Sequence, residues 1–153
     1  MPGVLRGRVL AYLRTHHVMT LATHGGDGPW AAAVYYANDG FDLYFLSSPA
    51  SRHCRDLAAH SRAAAAIQED YADWKEIKGV QLEGNVVQLR DAGERQARAL
   101  YAEKFPVVRA AGDAGSALVE ALKKVRWYRL SPQRLCFIDN AAGFGNRDEI
   151  SLS

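Results

Sequence analysis

The tripeptide Asn38-Asp39-Gly40, standing between two β-rich runs, constrains this chain more than any other feature. Asp-Gly accepts the positive φ that tight hairpins demand, so the flanking runs are predicted to pair antiparallel. The first run, Trp30 to Ala37, holds four alanines and has poor periodicity. In the returning run Phe41, Leu43 and Phe45 alternate with Asp42 and Tyr44. That strand passes directly into Ser47-Ser48-Pro49, and a short helix is predicted from there to about His60. Ser48 suits the N-cap and Pro49 the first helical position. The free N–H groups of a first turn carry the positive end of the helix dipole. With the hydroxyls of Ser47 and Ser51 and the guanidinium of Arg52, they compose an anion site fit for phosphate. The competing reading has Ser48 and Ser51 capping the helix while Arg52 and His53 face water.

The rest of the chain reads as more strands than helices. Leu5, Val9, Tyr12 and Leu13 recur at helical spacing, which predicts an amphipathic helix over 4–15. Val18 to Thr23 reads as a strand, ended by the loop His24 to Gly28. Ala63 to Gln68 is a further strand, followed by a polar, aromatic loop from Glu69 to Glu76. Val80, Leu82, Gly84 and Val86 share one face of a long strand, and a slip to Val87 and Leu89 suggests a bulge there. Ala97, Leu100, Tyr101 and Phe105 mark a helix ending before Pro106. Leu118, Ala121, Leu122 and Val125 mark another. Arg126 to Leu130 and Leu135 to Ile138 are the last predicted strands, split by Ser131-Pro132. Five or six strands with scattered short helices predict one α+β, mainly β domain over residues 1–153, built around an antiparallel barrel.

Composition removes several classes of function. Nineteen Lys and Arg against 17 Asp and Glu leave a formal +2, too little for a dedicated nucleic-acid binder. Cys54 and Cys136 stand far apart with no CxxC or Cys/His ligand spacing, so the sequence supports no metal site. The first residues show neither a secretory signal nor an apolar run long enough to span a membrane, which makes the cytoplasm the expected location. No Ser-His-Asp set or paired-carboxylate motif is present. His16 and His17 suit the C-terminal end of the first helix, and His24 is expected to be exposed. Trp74 reads as core or interface, whereas Trp127 and Tyr128 alternate so as to pack on both faces of a strand. Asn140 and Phe144, in a Gly-rich segment after the last strand, are expected to pack onto a cofactor or a partner subunit.

Four places together resemble the FMN-binding split barrels related to pyridoxamine 5'-phosphate oxidase. They are Met19 to Thr23, the hairpin ending in Ser51-Arg52-His53, Lys78 to Gly84, and Phe137 to Gly145. The likeness runs from about Leu13 to Gly145 and is nearest to an uncharacterised bacterial branch. It implies a split β-barrel with short flanking helices, and a homodimer with FMN at the two-fold interface. The flavin phosphate is then held by Ser47, next to Leu46 at the strand end, and by Ser51 and Arg52-His53, where His53 replaces the usual Lys. Ala33, Val34 and Tyr35 would offer backbone groups to the isoalloxazine edge, and Lys78 and Gln81 would reach the ring or ribityl chain. The implied activity is a flavin-dependent oxidoreductase of unknown substrate. A flavin- or haem-binding carrier or sensor and a deazaflavin-dependent oxidoreductase are the alternatives. True pyridoxamine 5'-phosphate oxidase activity is not expected, because the Trp- and Arg-containing C-terminal signature of those enzymes does not appear here.

Overall fold

The computed structural model describes residues 2–106 and 117–152. Helix α1 (Pro2–Thr15) buries Val9, Tyr12 and Leu13, and β1 (Val18–Gly25) then turns back through Gly26-Asp27 into β2 (Gly28–Tyr35). A bend at Tyr36 separates β2 from β3 (Ala37–Asp39). The bend is held because the fully buried Tyr36 donates its hydroxyl to the Leu13 carbonyl at 2.7 Å and its N–H to the His17 carbonyl at 3.0 Å. β3 pairs with β4 (Asp42–Ser47) through the turn Gly40-Phe41, where Gly40 takes the positive φ, +58°, and Asp39 stays in the ladder opposite Asp42; of the run expected to pair there, Trp30–Tyr35 pairs with β1 instead. Helix α2 (Arg52–Ala59), β5 (Arg62–Gln68), the long β6 (Lys78–Gln88) and α3 (Asp91–Lys104) follow. The chain then forms α4 (Ala117–Lys123), β7 (Arg126–Asp139) and β8 (Arg147–Ser151). The predicted helix around Leu118 is thus present as α4.

All strand pairs are antiparallel, in the order β2-β1-β5-β6-β7-β4-β3, with β8 added to β7. Because β2 and β3 are joined through Tyr36, the sheet curls until its two ends adjoin. Among the described residues β2 pairs only with β1, and β4 only with β3 and β7, so a seam stays unzipped between them. This is the expected α+β split barrel, a curled half-barrel with a few helices. Its interior is filled by alternate residues of the strands, Met19, Leu21, Leu43, Phe45, Ile67, Val80, Leu130 and Leu135 among them. A second cluster lies on the other side of β4 and β7, where Tyr44, Leu89, Trp127, Ala97 and Tyr101 pack beneath α3. Trp127 and Tyr128 therefore do face opposite ways, one into each cluster.

Three further expectations need correction. The β6–β7 register shifts at Glu83/Gly84, not at Val86/Val87: Glu83 pairs with Arg134 but Gly84 pairs with Pro132, which leaves Gln133 as the extra residue. What looked like a slip is the last turn of β6 passing into the second cluster, where Leu89 is buried while Val87 stays exposed. Ser131-Pro132 does not split the last strand, because β7 runs unbroken from Arg126 to Asp139. Proline lacks the N–H a regular ladder needs, so it is tolerated next to that bulge. Finally, β8 was not predicted; Arg-Asp-Glu-Ile-Ser carries one apolar residue, Ile150, and is a strand because β7 offers it an edge.

Gly84 makes the bulge possible. A Cβ there would lie 2.1 Å from the Ser131 carbonyl oxygen and 2.7 Å from Pro132 Cα, both backbone atoms that cannot yield without moving β7. Gly84→Ala is expected to cost about 3 kcal/mol of stability and to lower Tm by about 6–12 °C. Thermal unfolding followed by circular dichroism checks this; an unchanged Tm would mean that β6 and β7 separate freely at the bulge.

Candidate phosphate and cofactor site

Helix α2 opens the site, and its position is set by one buried carboxylate. Asp56, 6% exposed, accepts a hydrogen bond from the Thr23 hydroxyl of β1 at 2.8 Å. Gly25 leaves room for it, since a Cβ there would meet Asp56 Oδ1 at 2.3 Å. The helix is thereby held against β1 with its first residues over the seam. The N-cap is Ser51, not Ser48: its hydroxyl accepts from the Cys54 N–H at 3.3 Å and donates to the Ser48 carbonyl at 2.8 Å. Ser48 instead stabilises the preceding turn, accepting from the Ala50 N–H at 3.2 Å. Pro49 accordingly lies ahead of the helix.

Four predicted residues gather here. Ser47, buried at the end of β4, lies 2.7 Å from Nε2 of His53, and Ser51 Oγ lies 3.4 Å from the same nitrogen. Burial pushes the His53 imidazole below its ordinary value, with Asp56 opposing in part. Burial thus disfavours the charged form of the ring. Arg52 reaches β2: its guanidinium lies 4.3 Å above the Trp30 ring of that strand, and Nη2 donates to the Asp27 carbonyl at 3.0 Å. Its Nε–H is buried and has no partner among the described residues. A buried donor left unsatisfied is costly. Ser47, His53 and Asp56 do not form a hydrolytic triad, because the Asp56 carboxylate is turned to Thr23.

The remaining predicted residues divide. Ala33 and Tyr35 are exposed and Val34 half-buried on β2, which is the terminal strand and so keeps one edge without a ladder partner. The Tyr35 carbonyl is already taken by the Tyr101 hydroxyl of α3, whose other neighbour is the Leu46 backbone. The Leu46 side chain packs into the second cluster, on the opposite face of β4 from Ser47. Gln81 faces outward in one row with Ala33, through the pairs Ala33–Thr20, Thr20–Ala66 and Ala66–Gln81. Three strand spacings put it about 14 Å from Ala33. Lys78 is exposed three residues further along β6, its carbonyl accepting from the Tyr12 hydroxyl at 3.2 Å. One chain thus assembles Ser47, Ser51, Arg52 and His53, but not Lys78 and Gln81 beside them.

Trp30 and Asp27 at this corner went unnoticed in the sequence, because a cation–ring stack between residues 22 apart leaves no local pattern. Trp74 is not core: it is 47% exposed and meets Phe144, 83% exposed, edge to face at 5.6 Å. Asn140 fixes that pair, donating to the Trp74 carbonyl at 2.9 Å and accepting from the Gly145 N–H at 3.1 Å. His24 is exposed as expected and stacks on His60 at 4.5 Å. His16 ends α1 in contact with the Tyr12 carbonyl at 2.8 Å and pairs with Glu69 at 2.7 Å. Among the described residues no group of three or more His, Cys, Asp or Glu could hold a metal ion, and no helix is long and apolar enough to cross a membrane.

Comparison with known proteins agrees with this architecture. A UPF0306 protein of Photorhabdus laumondii is 30% identical over 138 residues, 89% of this chain and 88% of its own length. Among solved structures, a haem-binding protein from Mycobacterium smegmatis superposes with a TM-score of 0.70 at 25% identity; the match covers 92% of this chain and 56% of that one. The haem storage protein of Vibrio cholerae shares the fold with a TM-score of 0.66 at 17% identity, over 82% of this chain and 88% of its own. Residues 5–138 match the family model described as pyridoxamine 5'-phosphate oxidase. With a split barrel, an unzipped seam and that match over most of its length, the chain belongs to the pyridoxamine 5'-phosphate oxidase family.

Proposed function

We propose that this protein binds FMN, with the terminal phosphate at the Ser47–His53 corner and the ring along the free edge of β2. The observation that carries the reading is the gathering of the Ser47 and Ser51 hydroxyls at Nε2 of His53, 2.7 and 3.4 Å away, with Arg52 the preceding residue on the same helix turn. Those groups form a donor set suited to a dianion, and the one carboxylate buried with them is engaged elsewhere by Thr23. The exposed alanines Ala31 and Ala33 would let a flat ring approach the strand closely. Bound there, the flavin would supply electron or hydride transfer, chemistry that belongs to the cofactor. The protein's own part is to hold the phosphate, orient the ring and shield it, as an oxidoreductase whose substrate the site does not name.

The active unit is proposed to be a homodimer. β2 is open on its outer face, and Thr20, Ala22, Ala64 and Ala66 continue that small-residue surface across β1 and β5. A second copy seated on this surface would bring Lys78 and Gln81 toward the flavin of its partner, which one chain does not achieve. Haem is the second reading, supported by the mycobacterial haem-binding neighbour. The absorbance spectrum of the protein reconstituted with each cofactor and desalted separates them: a retained, shifted flavin spectrum is expected, and retention of haem alone would overturn the FMN reading. By light scattering, flavin should be retained in a species of about twice 16.8 kDa; a monomer holding FMN tightly would refute the shared site.

Two variants test the phosphate corner. A charged hydrogen bond to phosphate contributes about 1.5–3 kcal/mol, so Arg52→Ala should weaken FMN roughly ten- to a hundred-fold by calorimetric titration. Riboflavin, which lacks the phosphate, should bind weakly to both forms. The pH dependence has a definite sign. His53 starts with a lowered pKa, and a neighbouring phosphate raises it, so binding takes up a proton. The advantage of wild type over His53→Ala should therefore be about five-fold at pH 6 and vanish by pH 8. A constant ratio across that range would show that the imidazole stays neutral in the complex.

A further inference from the structure

We propose that Trp30 is the positioning residue of the phosphate site, and that it sets the preference for a phosphorylated over an unphosphorylated flavin. The inference rests on the FMN reading above and adds to it a residue on a different strand, outside the Ser47–His53 segment.

An arginine on the first turn of a surface helix has four rotatable bonds and ordinarily samples many orientations, which costs entropy when a ligand fixes it. Arg52 is not free in this way. Its guanidinium carbon lies over the Trp30 ring, 4.3 Å from the centroid, and its Nη2 is tied to the Asp27 carbonyl at 3.0 Å. These two contacts come from the β1–β2 turn and from β2, the strand paired with the β1 against which α2 packs. They use one face of the guanidinium and one hydrogen of Nη2. The Nε–H has no partner among the described residues, and Arg52 directly precedes His53, whose Nε2 lies 2.7 Å from Ser47 Oγ. Guanidinium binds phosphate through its edge, in the plane, so a ring stacked on its face restrains the orientation without competing for the anion. Trp30 is itself 43% exposed, and on an edge strand such an aromatic is explained by what it supports. A hydroxyl or a short aliphatic residue at position 30 could not provide this stack, and Phe could provide most of it.

The test measures affinity and does not rely on turnover. FMN and riboflavin are titrated calorimetrically into wild type, Trp30→Leu, Trp30→Phe, Arg52→Ala and the Trp30→Leu/Arg52→Ala double variant. Trp30→Leu should lose about ten-fold in FMN affinity with riboflavin unchanged, while Trp30→Phe stays within about three-fold of wild type. The double variant should bind FMN no more weakly than Arg52→Ala alone, because the two side chains act as one unit. Equal losses for both flavins, or losses that add in the double variant, would overturn the positioning role. Wild-type protein that binds FMN and riboflavin equally would instead overturn the phosphate site itself. A ligand-free measurement stands beside these: the Arg52 Nε–H signal in arginine-labelled protein should exchange slowly with water, and at least about ten-fold faster in Trp30→Leu. Identical exchange in the two proteins would show that Trp30 does not hold the guanidinium.

Discussion

The close approach of β6 and β7 at Gly84 is the contact through which both halves of this barrel communicate. β7 pairs with β4 through Arg126–Leu130 on one side of the bulge and with β8 through Arg134–Ile138 on the other. β6 must follow it along its whole length, and it does so only because the backbone of Ser131 and Pro132 can lie against a residue without a side chain. The bulge absorbs one residue of β7 and bends the pair, which curls the sheet. Curling carries β2 around to face the end of β4.

The curl stops short of closure, and this incompleteness creates the site. Were β2 and β4 to pair fully, the N–H and C=O groups on the free edge of β2 would be satisfied and nothing could bind there. Instead the strands part at Tyr36, whose buried ring and two hydrogen bonds to the end of α1 redirect the chain. Helix α2 then sits against β1 through Asp56 and Thr23 and holds its first turn above the gap. An exposed strand edge invites pairing with other chains, and here side chains reach β2, Arg52 near one end and Tyr101 at the other.

Asp56 illustrates how a structural residue governs a site it never enters. Its burial on α2 is compensated by the Thr23 hydroxyl, and the space it occupies exists because position 25 is glycine. The same carboxylate tempers the effect of burial on His53 one turn earlier. Helix docking and the protonation state of the imidazole are thereby linked through one side chain. Asn140 has a comparable place in the C-terminal segment, where a single carboxamide fixes the turn that displays Phe144 next to Trp74.

The hairpin at Gly40, helix α2 and the clustering of Ser47, Ser51, Arg52 and His53 were legible because each depends on residues within about one turn or one strand of another. A positive φ, a capping hydroxyl and an alternation of apolar residues are encoded by neighbours in the chain. Even there the detail moved: the cap fell to Ser51 instead of Ser48, since which hydroxyl reaches the helix N–H groups depends on where α2 docks. The place of the bulge, the continuity of β7 through Pro132, the existence of β8 and the stack of Trp30 on Arg52 were not legible. Each is decided by a partner distant in sequence, through the register of a ladder or the meeting of α2 with β2. The sequence by itself determined most of the elements and the hydroxyl and basic character of the Ser47–His53 segment. Only the tertiary structure decided which edge stays open, because hydrogen-bond pairing between strands is a competition that no single strand contains.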